Sequence, residues 1–591
     1  SYSFTNNKSD NYKGKDTYAA FVDRLYFDTQ GNSSRTYSSI SQSNTNNSSY
    51  SLRGQLSYSD VYREIHRFSV LAGAEIRGEK AEGIFEKRYG YDPVTGNSAM
   101  PVPKDPGNGE GFKYSDLVSY ANAMDQLSGQ EIEENRFASF YGALDYSLFD
   151  RYVLNVSFRT DGSNNFGSDE QFNPTWSAGA VWHVSEETFM EVVRPVLSRL
   201  SLRVATGYTG NINKTVKPNL MMKYYKNFRI SDDENYRMGY INNAPNPKLR
   251  WEKTRDVKVA LDFGLWKDRI NGIVEAYWRK SKDCVTSEYV PVTTGFFNQS
   301  YNTSVLQNNG VEFSLSVAVL KSKDYNLSVS ANVAWNQNKL KKYNSPNTSL
   351  ALDKYVGYPM GAVFSGKYEG IDPETGMYKF KLRPDAVTNK DGYLREPNNY
   401  YYYLGTSVAP FTGGFNLNFS YKNIGLSVGG SYSVKAKMVD NIESPAGYEL
   451  LSGSKLESIP TPHNDLYRNH LNVKREVRNR WTPENRTGVK YPRLIDAYGK
   501  KLGLDLTNPT LTTITRGALL EDISYLRINT IALSYSLPQR VLERINFSSA
   551  ALNLTLNNFF TITKYSGIDP EVPGATYPVS RSVTIGLNVG F

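Results

Sequence analysis

The residues able to do chemistry are few in this chain. Four histidines, His66, His183, His463 and His470, are spread over 591 residues, and the one cysteine is Cys284. The grouping His463-Asn464-Asp465 with His470 is the nearest approach to a metal or nucleophile cluster. Its spacing matches neither a zinc pattern nor a Ser/His/Asp arrangement, so these residues read as solvated loop side chains. Two acidic segments repeat, Gly370-Ile371-Asp372-Pro373-Glu374-Thr375-Gly376 and Gly567-Ile568-Asp569-Pro570-Glu571. Their carboxylates raise calcium as a loop ligand, but an ion loop supplies more oxygen side chains within a dozen residues. Asp-Pro opens turns and Thr-Gly closes them, which makes the turn the preferred reading. Nothing here assembles a general acid, base or nucleophile, so an enzyme is not expected and no cofactor is called. Aromatic rings are the plentiful resource. Tyr89, Tyr91, Phe296, Phe297, Tyr401, Tyr402 and Trp481, with Tyr400, Tyr403, Tyr448 and Tyr498 beside them, fall between strand-like segments, where rings stack on sugars or pack peptides. The first seven are the candidate substrate contacts.

What must position these rings is a sheet. Aromatic content is 13%, with 44 tyrosines, and the net charge of +9 comes from basic and acidic residues scattered without blocks, which argues against nucleic acid. Mean hydropathy is −0.52, and no stretch reaches the ~18 apolar residues of a spanning helix. A membrane barrel evades that test because every second strand residue faces water. The alternation is explicit: Val311, Phe313, Leu315, Val317 and Val319 interleave with Glu312, Ser314, Ser316 and Ala318; Tyr325, Leu327, Val329, Ala331, Val333 and Trp335 follow after a short turn. Strands are expected to begin near residues 18, 50, 66, 134, 150, 173, 201, 253, 270, 308, 325, 412, 424, 523, 549 and 580.

The connections alternate in length. Short turns are expected at 60–65, 149–150, 266–269, 321–324 and 422–423, and long ones at 77–133, 211–252, 284–307, 341–411 and 435–522. Outer-membrane barrels have short periplasmic turns and long extracellular loops. Two connections, 185–200 and 538–548, are long for the short side, and the first carries Ser185-Glu186-Glu187, which could cap a helical turn. The last strand, Val583, Ile585, Leu587, Val589 and Phe591 against Ser582, Thr584, Gly586, Asn588 and Gly590, ends on an aromatic. Counting back from it puts every short turn on one side. The fold expected is all-β, a transmembrane antiparallel β-barrel, with Trp278 and Trp335 in the interfacial girdles.

Several segments resemble the SusC/RagA importers of Bacteroidota. They are Arg159-Thr160-Asp161-Gly162-Ser163 with Phe166-Gly167, Trp182-His183-Val184-Ser185-Glu186-Glu187, Leu202 to Asn211, Asn246-Pro247-Lys248-Leu249-Arg250-Trp251-Glu252, Asn309-Gly310-Val311-Glu312-Phe313, Arg480-Trp481-Thr482-Pro483-Glu484-Asn485, Tyr525-Leu526-Arg527-Ile528 and Asn557 to Glu571. The resemblance implies a TonB-dependent transporter of the outer membrane with a 22-stranded barrel, an N-terminal plug and a SusD-like surface lipoprotein as lid. The sixteen expected strands are then the C-terminal part. The plug and six remaining strands are expected on a preceding stretch of the same gene product or on a separate polypeptide. The implied ligand is an oligosaccharide or oligopeptide, taken up through the TonB complex by way of the plug. A structural or adhesive barrel that transports nothing is the alternative, and an outer-membrane hydrolase is disfavoured by the histidine count.

Overall fold

The computed structural model describes residues 1–14, 38–89, 91–98, 128–214, 216–224, 239–296, 298–343, 356–374, 376, 378–386, 399–439, 478–491, 516–573, 575 and 577–591, with the short segments 27–28 and 102–103. Sixteen strands form one sheet. In chain order they are β1 (Tyr2–Lys13), β2 (Ser39–Tyr62), β3 (His66–Tyr89), β4 (Ser128–Leu148), β5 (Tyr152–Ser163), β6 (Phe172–His183), β7 (Leu197–Asn211) and β8 (Glu252–Leu265). The series continues with β9 (Ile270–Tyr289), β10 (Asn298–Lys321), β11 (Tyr325–Lys342), β12 (Phe411–Tyr421), β13 (Ile424–Val434), β14 (Tyr525–Ser536), β15 (Ser549–Thr563) and β16 (Ser582–Gly590). Each pairs antiparallel with its neighbours in sequence, and among the described residues no ladder joins β1 to β16. The sheet is therefore an open wall with two free edges.

Register sorts the side chains. Val257, Val259, Leu261 and Phe263 of β8 lie opposite Trp278, Ala276, Val274 and Gly272 of β9, one apolar face. The other face carries ion pairs: Arg203 to Asp262 at 2.6 Å, Lys258 to Glu275 at 3.1 Å, Arg279 to Asp256 at 2.7 Å and Arg159 to Asp161 at 2.7 Å. The apolar face is the lipid side and the charged face the lumen. Half-exposed pairs of this kind contribute up to about 1 kcal/mol each, so they line the wall more than they hold it. What holds it is the ladder, since a backbone group left unpaired in lipid costs several kcal/mol.

The tight turns sit at one end. Arg63 and Glu64, Phe149 and Asp150, Trp266 to Asp268, and Lys422 all take positive φ without being glycine, because a short hairpin must match the right-handed twist of its strands. At this end Glu187 gathers three donors: the Tyr152 hydroxyl at 2.5 Å, the Trp182 indole at 3.0 Å and Arg151 at 3.3 Å. Those bonds, the tyrosine first, hold its carboxyl below the usual carboxylate range. The connection expected over 185–200 runs 184–196 and opens with two single 3-10 turns, Val184–Glu186 and Thr188–Met190, followed by further turns up to Val196.

The opposite end differs from the sequence expectation in three places. The strand expected near residue 18 is instead Tyr2–Lys13, and position 18 lies outside the described residues. β3 continues to Tyr89 and β4 starts at Ser128, so the loop expected over 77–133 is partly sheet. The loop expected over 284–307 shrinks to 290–297, because β9 runs to Tyr289 and β10 starts at Asn298. The reason is common to all three. β2 and β3 are each 24 residues long, about 80 Å at ~3.3 Å per residue, whereas a tilted crossing takes ~9–11 residues. Beyond the bilayer both faces meet water, the alternation fades, and only the hydrogen-bond ladder reveals the strand.

Candidate extracellular binding site

At the extracellular ends, the loops are fixed by contacts between segments distant in sequence. Phe166 stacks on Trp251 with centroids 4.6 Å apart. Gly167 donates to the Leu249 carbonyl at 2.9 Å, and a Cβ at Gly167 would lie 1.8 Å from the Pro247 oxygen, so only glycine allows the approach. Asn165, buried, donates to Asn135 at 2.8 Å and accepts from Lys217 at 2.9 Å. Arg250 reaches Asp283 at 2.8 Å, and Asn302 receives the Arg250 amide at 3.0 Å. Thus the Arg159–Gly167 and Asn246–Glu252 segments form a lock that ties the loop after β5 to the loop before β8 and to the β9–β10 hairpin.

Where β11 runs on past its last partner in β12 lies a cavity of about 530 Å³ lined from both faces of the strand, Trp335 and Lys339 among the lining residues. Asn308, Asn336 and Asn338 supply amides from the strands, and Tyr358, Met360 and Tyr403 come from the covering loops. Asn338 donates to Asn308 at 2.7 Å and accepts the Met360 amide at 2.8 Å. The rings of Tyr358, Phe364 and Tyr403 pack together, with Tyr358 and Tyr403 4.9 Å apart. Burial, and after it the nearby Tyr358, pushes the Tyr403 hydroxyl above the usual tyrosine range. Ring faces beside amides suit a sugar ring or a peptide backbone. A neutral phenol donates to either throughout the physiological range.

The aromatics anticipated from sequence are dispersed. Tyr89 is the last residue of β3 rather than a loop residue, is buried, and lies under Lys87, whose ammonium is 4.3 Å from its ring. Tyr91 follows it, with its ring 6.0 Å from Tyr12 and the Arg88 guanidinium 5.5 Å away. Phe296 is at the tip of the β9–β10 hairpin, half-buried. Phe297, Tyr448, Tyr498, His463 and His470 lie outside the described residues.

Tyr401 and Tyr402 belong to a short strand, Tyr401–Thr406, paired with Ala362–Gly366. Tyr401 is buried, and Tyr402 donates to the Leu382 carbonyl at 2.9 Å. Trp481 is also buried, its indole donating to the Pro373 carbonyl at 2.9 Å. Tyr401, Tyr402 and Trp481 therefore support one extracellular unit around the short hairpin Tyr368–Ile371 and Tyr378–Phe380, while Tyr403 is the member of the tyrosine run that lines the cavity. Tyr358 had no sequence signal beyond being a loop aromatic. Among the described residues no three His, Cys, Asp or Glu side chains converge on a point.

A family model described as TonB dependent receptor-like, beta-barrel, matches residues 1–441. The chain belongs to the TonB-dependent receptor β-barrel family. TonB-dependent receptor P26 of Formosa agariphila is 25% identical over 610 residues, covering 96% of this chain and 55% of that protein. TonB-dependent receptor SusC of Bacteroides thetaiotaomicron is 26% identical over 555 residues, 89% of this chain and 48% of SusC. A chain of the RagAB peptide transporter superposes with a TM-score of 0.74 at 23% identity, covering all of this chain and 59% of that one; at that identity the likeness is one of fold. These matches agree with the resemblance read from the motifs. The chain spans about half the length of the curated relatives it matches. As a TonB-dependent receptor barrel it is an outer-membrane protein, with strands as the only crossing elements among the described residues, where no helix is long and apolar enough to span.

Proposed function

We propose that this receptor imports oligosaccharides or oligopeptides across the outer membrane. TonB energises the step through a plug domain, and a SusD-like lipoprotein lids the outer face. The observation that carries the reading is a polar, ion-paired inner wall opening onto a cavity lined by amides and by Tyr358 and Tyr403. The match to the TonB-dependent receptor SusC supports the energy source, and the SusC/RagA-like motifs support a lipoprotein partner. The remaining strands close the wall against its two edges. On one side, Leu52, Leu56, Tyr58 and Val61 of β2 lie exposed below the reach of β1, and on the other, Val583, Ile585 and Leu587 of β16 lie exposed. Six further strands and a plug complete this barrel, on the same gene product or a second chain.

The test uses the full-length receptor in its own outer membrane. Labelled oligosaccharide and peptide mixtures are offered with TonB intact and with TonB deleted, and the purified receptor is analysed for accompanying polypeptides. TonB-dependent uptake of one ligand class together with a co-purifying surface lipoprotein is expected. Uptake unaffected by loss of TonB, or none of either class, overturns the proposal.

A further inference from the structure

The lipid-facing side of β8 to β11 ends, at the extracellular rim, in a block of cations that no acidic side chain among the described residues neutralises. Arg255 lies directly opposite Lys280, and Lys253 opposite Lys282. Lys280 in turn faces Gln307, whose other neighbour is Lys339. All share the parity of Val257, Val259, Trp278, Val333 and Trp335, the apolar outer face, so their stems continue the lipid band. Trp278, one same-face position below Lys280, and Trp335, two below Lys339, are both exposed, as interfacial aromatics are. Lys435 extends the row past β12, its ammonium 5.1 Å from the ring of Phe411.

Like charges directly opposite on a sheet destabilise it, so a counter-charge is called for. None of the acids on these strands supplies it. Asp256 and Glu275 face the lumen and hold Arg279 and Lys258. Asp283 holds Arg250, and Glu252 accepts from Asn211 at 2.7 Å and the Val285 amide at 2.9 Å. The flank formed by β3 and β4 is built differently. Just above its apolar band, Lys80 pairs with Glu82, and Arg136 with Glu134 at 2.8 Å.

We propose that the β8–β11 rim binds phosphate-bearing anionic lipid of the outer leaflet. Acyl chains lie on the Val257 to Phe263 face, and the headgroup phosphates are held by Arg255, Lys280, Lys282 and Lys339. Continuity with the lipid band, the tryptophans beneath and the lack of a carboxylate partner among the described residues select a membrane lipid over a soluble acidic protein. Arginine and lysine both suit phosphate, the former as a two-pronged donor and the latter as a point charge. The inference requires only the outer-membrane location and does not depend on import.

The experiment compares the full-length receptor with the quadruple variant Arg255→Gln, Lys280→Gln, Lys282→Gln and Lys339→Gln, and with the control Lys80→Gln, Arg136→Gln. Each is purified in mild detergent, checked for heat-modifiable migration as a sign of a folded barrel, and assayed for retained lipid phosphorus and for lipid adducts by native mass spectrometry. Delipidated protein is then offered vesicles of phosphatidylcholine alone or with phosphatidylglycerol, and separately inorganic phosphate. A cation near an anionic surface typically contributes about fivefold in partition, so loss of four is expected to remove most retained phospholipid and the preference for phosphatidylglycerol. The control is expected to keep both. Equal retention by a folded quadruple variant, equal binding to both vesicle types, binding of inorganic phosphate alone, or loss of a protein partner instead of lipid would each overturn the proposal.

Discussion

The same five residues, Gly-Ile-Asp-Pro-Glu, occur twice at the extracellular side and meet different fates. In both copies the aspartate accepts the amide of the glutamate two residues on, Asp372 at 3.0 Å and Asp569 at 2.9 Å. The aspartate bond is thus shared and is what Asp-Pro favours, while the 370–376 copy also closes with the Gly376 amide on the Asp372 carbonyl at 2.8 Å. Around Asp569 the barrel wall takes over. Arg527 of β14, 2% exposed, pairs with Asp569 at 2.5 Å and Glu571 at 2.9 Å, and the Val579 amide adds a bond at 3.1 Å. Asp372 and Glu374 lie nearer solvent, and the 370–376 copy is instead held by the Trp481 indole on the Pro373 carbonyl. A short motif therefore encodes the turn, and the residue delivered from elsewhere in the chain decides how firmly the turn is docked.

That difference should break most visibly at Arg527. Replacing it by alanine leaves Asp569 buried without its counter-charge, a change that typically costs about 3–5 kcal/mol. The expected outcome for Arg527→Ala is rapid proteolysis and amide exchange in residues 564–581, with the 368–380 hairpin unchanged. Equal protection of both copies would remove the distinction.

A paired comparison comes next. Asp569→Asn should cost about 2–3 kcal/mol, since the partner is a buried guanidinium, and more than Asp372→Asn, which weakens a bond from the Glu374 amide of a kind worth about 0.5–1.5 kcal/mol. Thermal melts of the two folded variants in one detergent give the ordering, and a larger loss for Asp372→Asn would reverse the comparison.

The pH dependence sharpens it further. Burial alone would raise the Asp569 carboxyl, but the Glu571 and Val579 amides and the Arg527 guanidinium outweigh it and hold the group below the usual carboxylate range. A depressed folded-state value means that the stabilisation is complete above the ordinary carboxylate value of about 4 and fades as pH falls through the lower one. The gap between wild type and Asp569→Asn should accordingly be constant at neutral pH and narrow only in strong acid. A gap that closes near pH 6 would assign the titration to another group.

How much of this could be read from sequence follows the solvent. From Tyr325 to Trp335 the strand is plain, because lipid demands an apolar residue at every second place. Across Tyr2–Lys13 and Ser41–Tyr50, where serines and asparagines occupy both faces of the strand, it is not. The repeated acidic segments were legible as turns because Asp-Pro acts locally. Arg527 lies within the family-like segment Tyr525 to Ile528, yet its burial depends on a loop 42 residues away. The tyrosine run was legible as aromatic but not as to which ring faces the cavity, for that is set by the pairing of Tyr401–Thr406 with Ala362–Gly366.

The smallest expected effect is at Trp481. Trp481→Phe keeps a buried ring and leaves the Pro373 carbonyl without its donor, a loss of about 0.5–1.5 kcal/mol when a neutral hydrogen bond goes. Because that carbonyl lies in the exposed copy of the motif, water can replace the indole, which argues for the low end. Amide exchange should quicken modestly in 370–376 and not at all in 567–571, where Arg527 still binds. If exchange quickened equally in both, the two turns would be one cooperative unit, and the contrast drawn between a wall-anchored and a loop-anchored copy would fail.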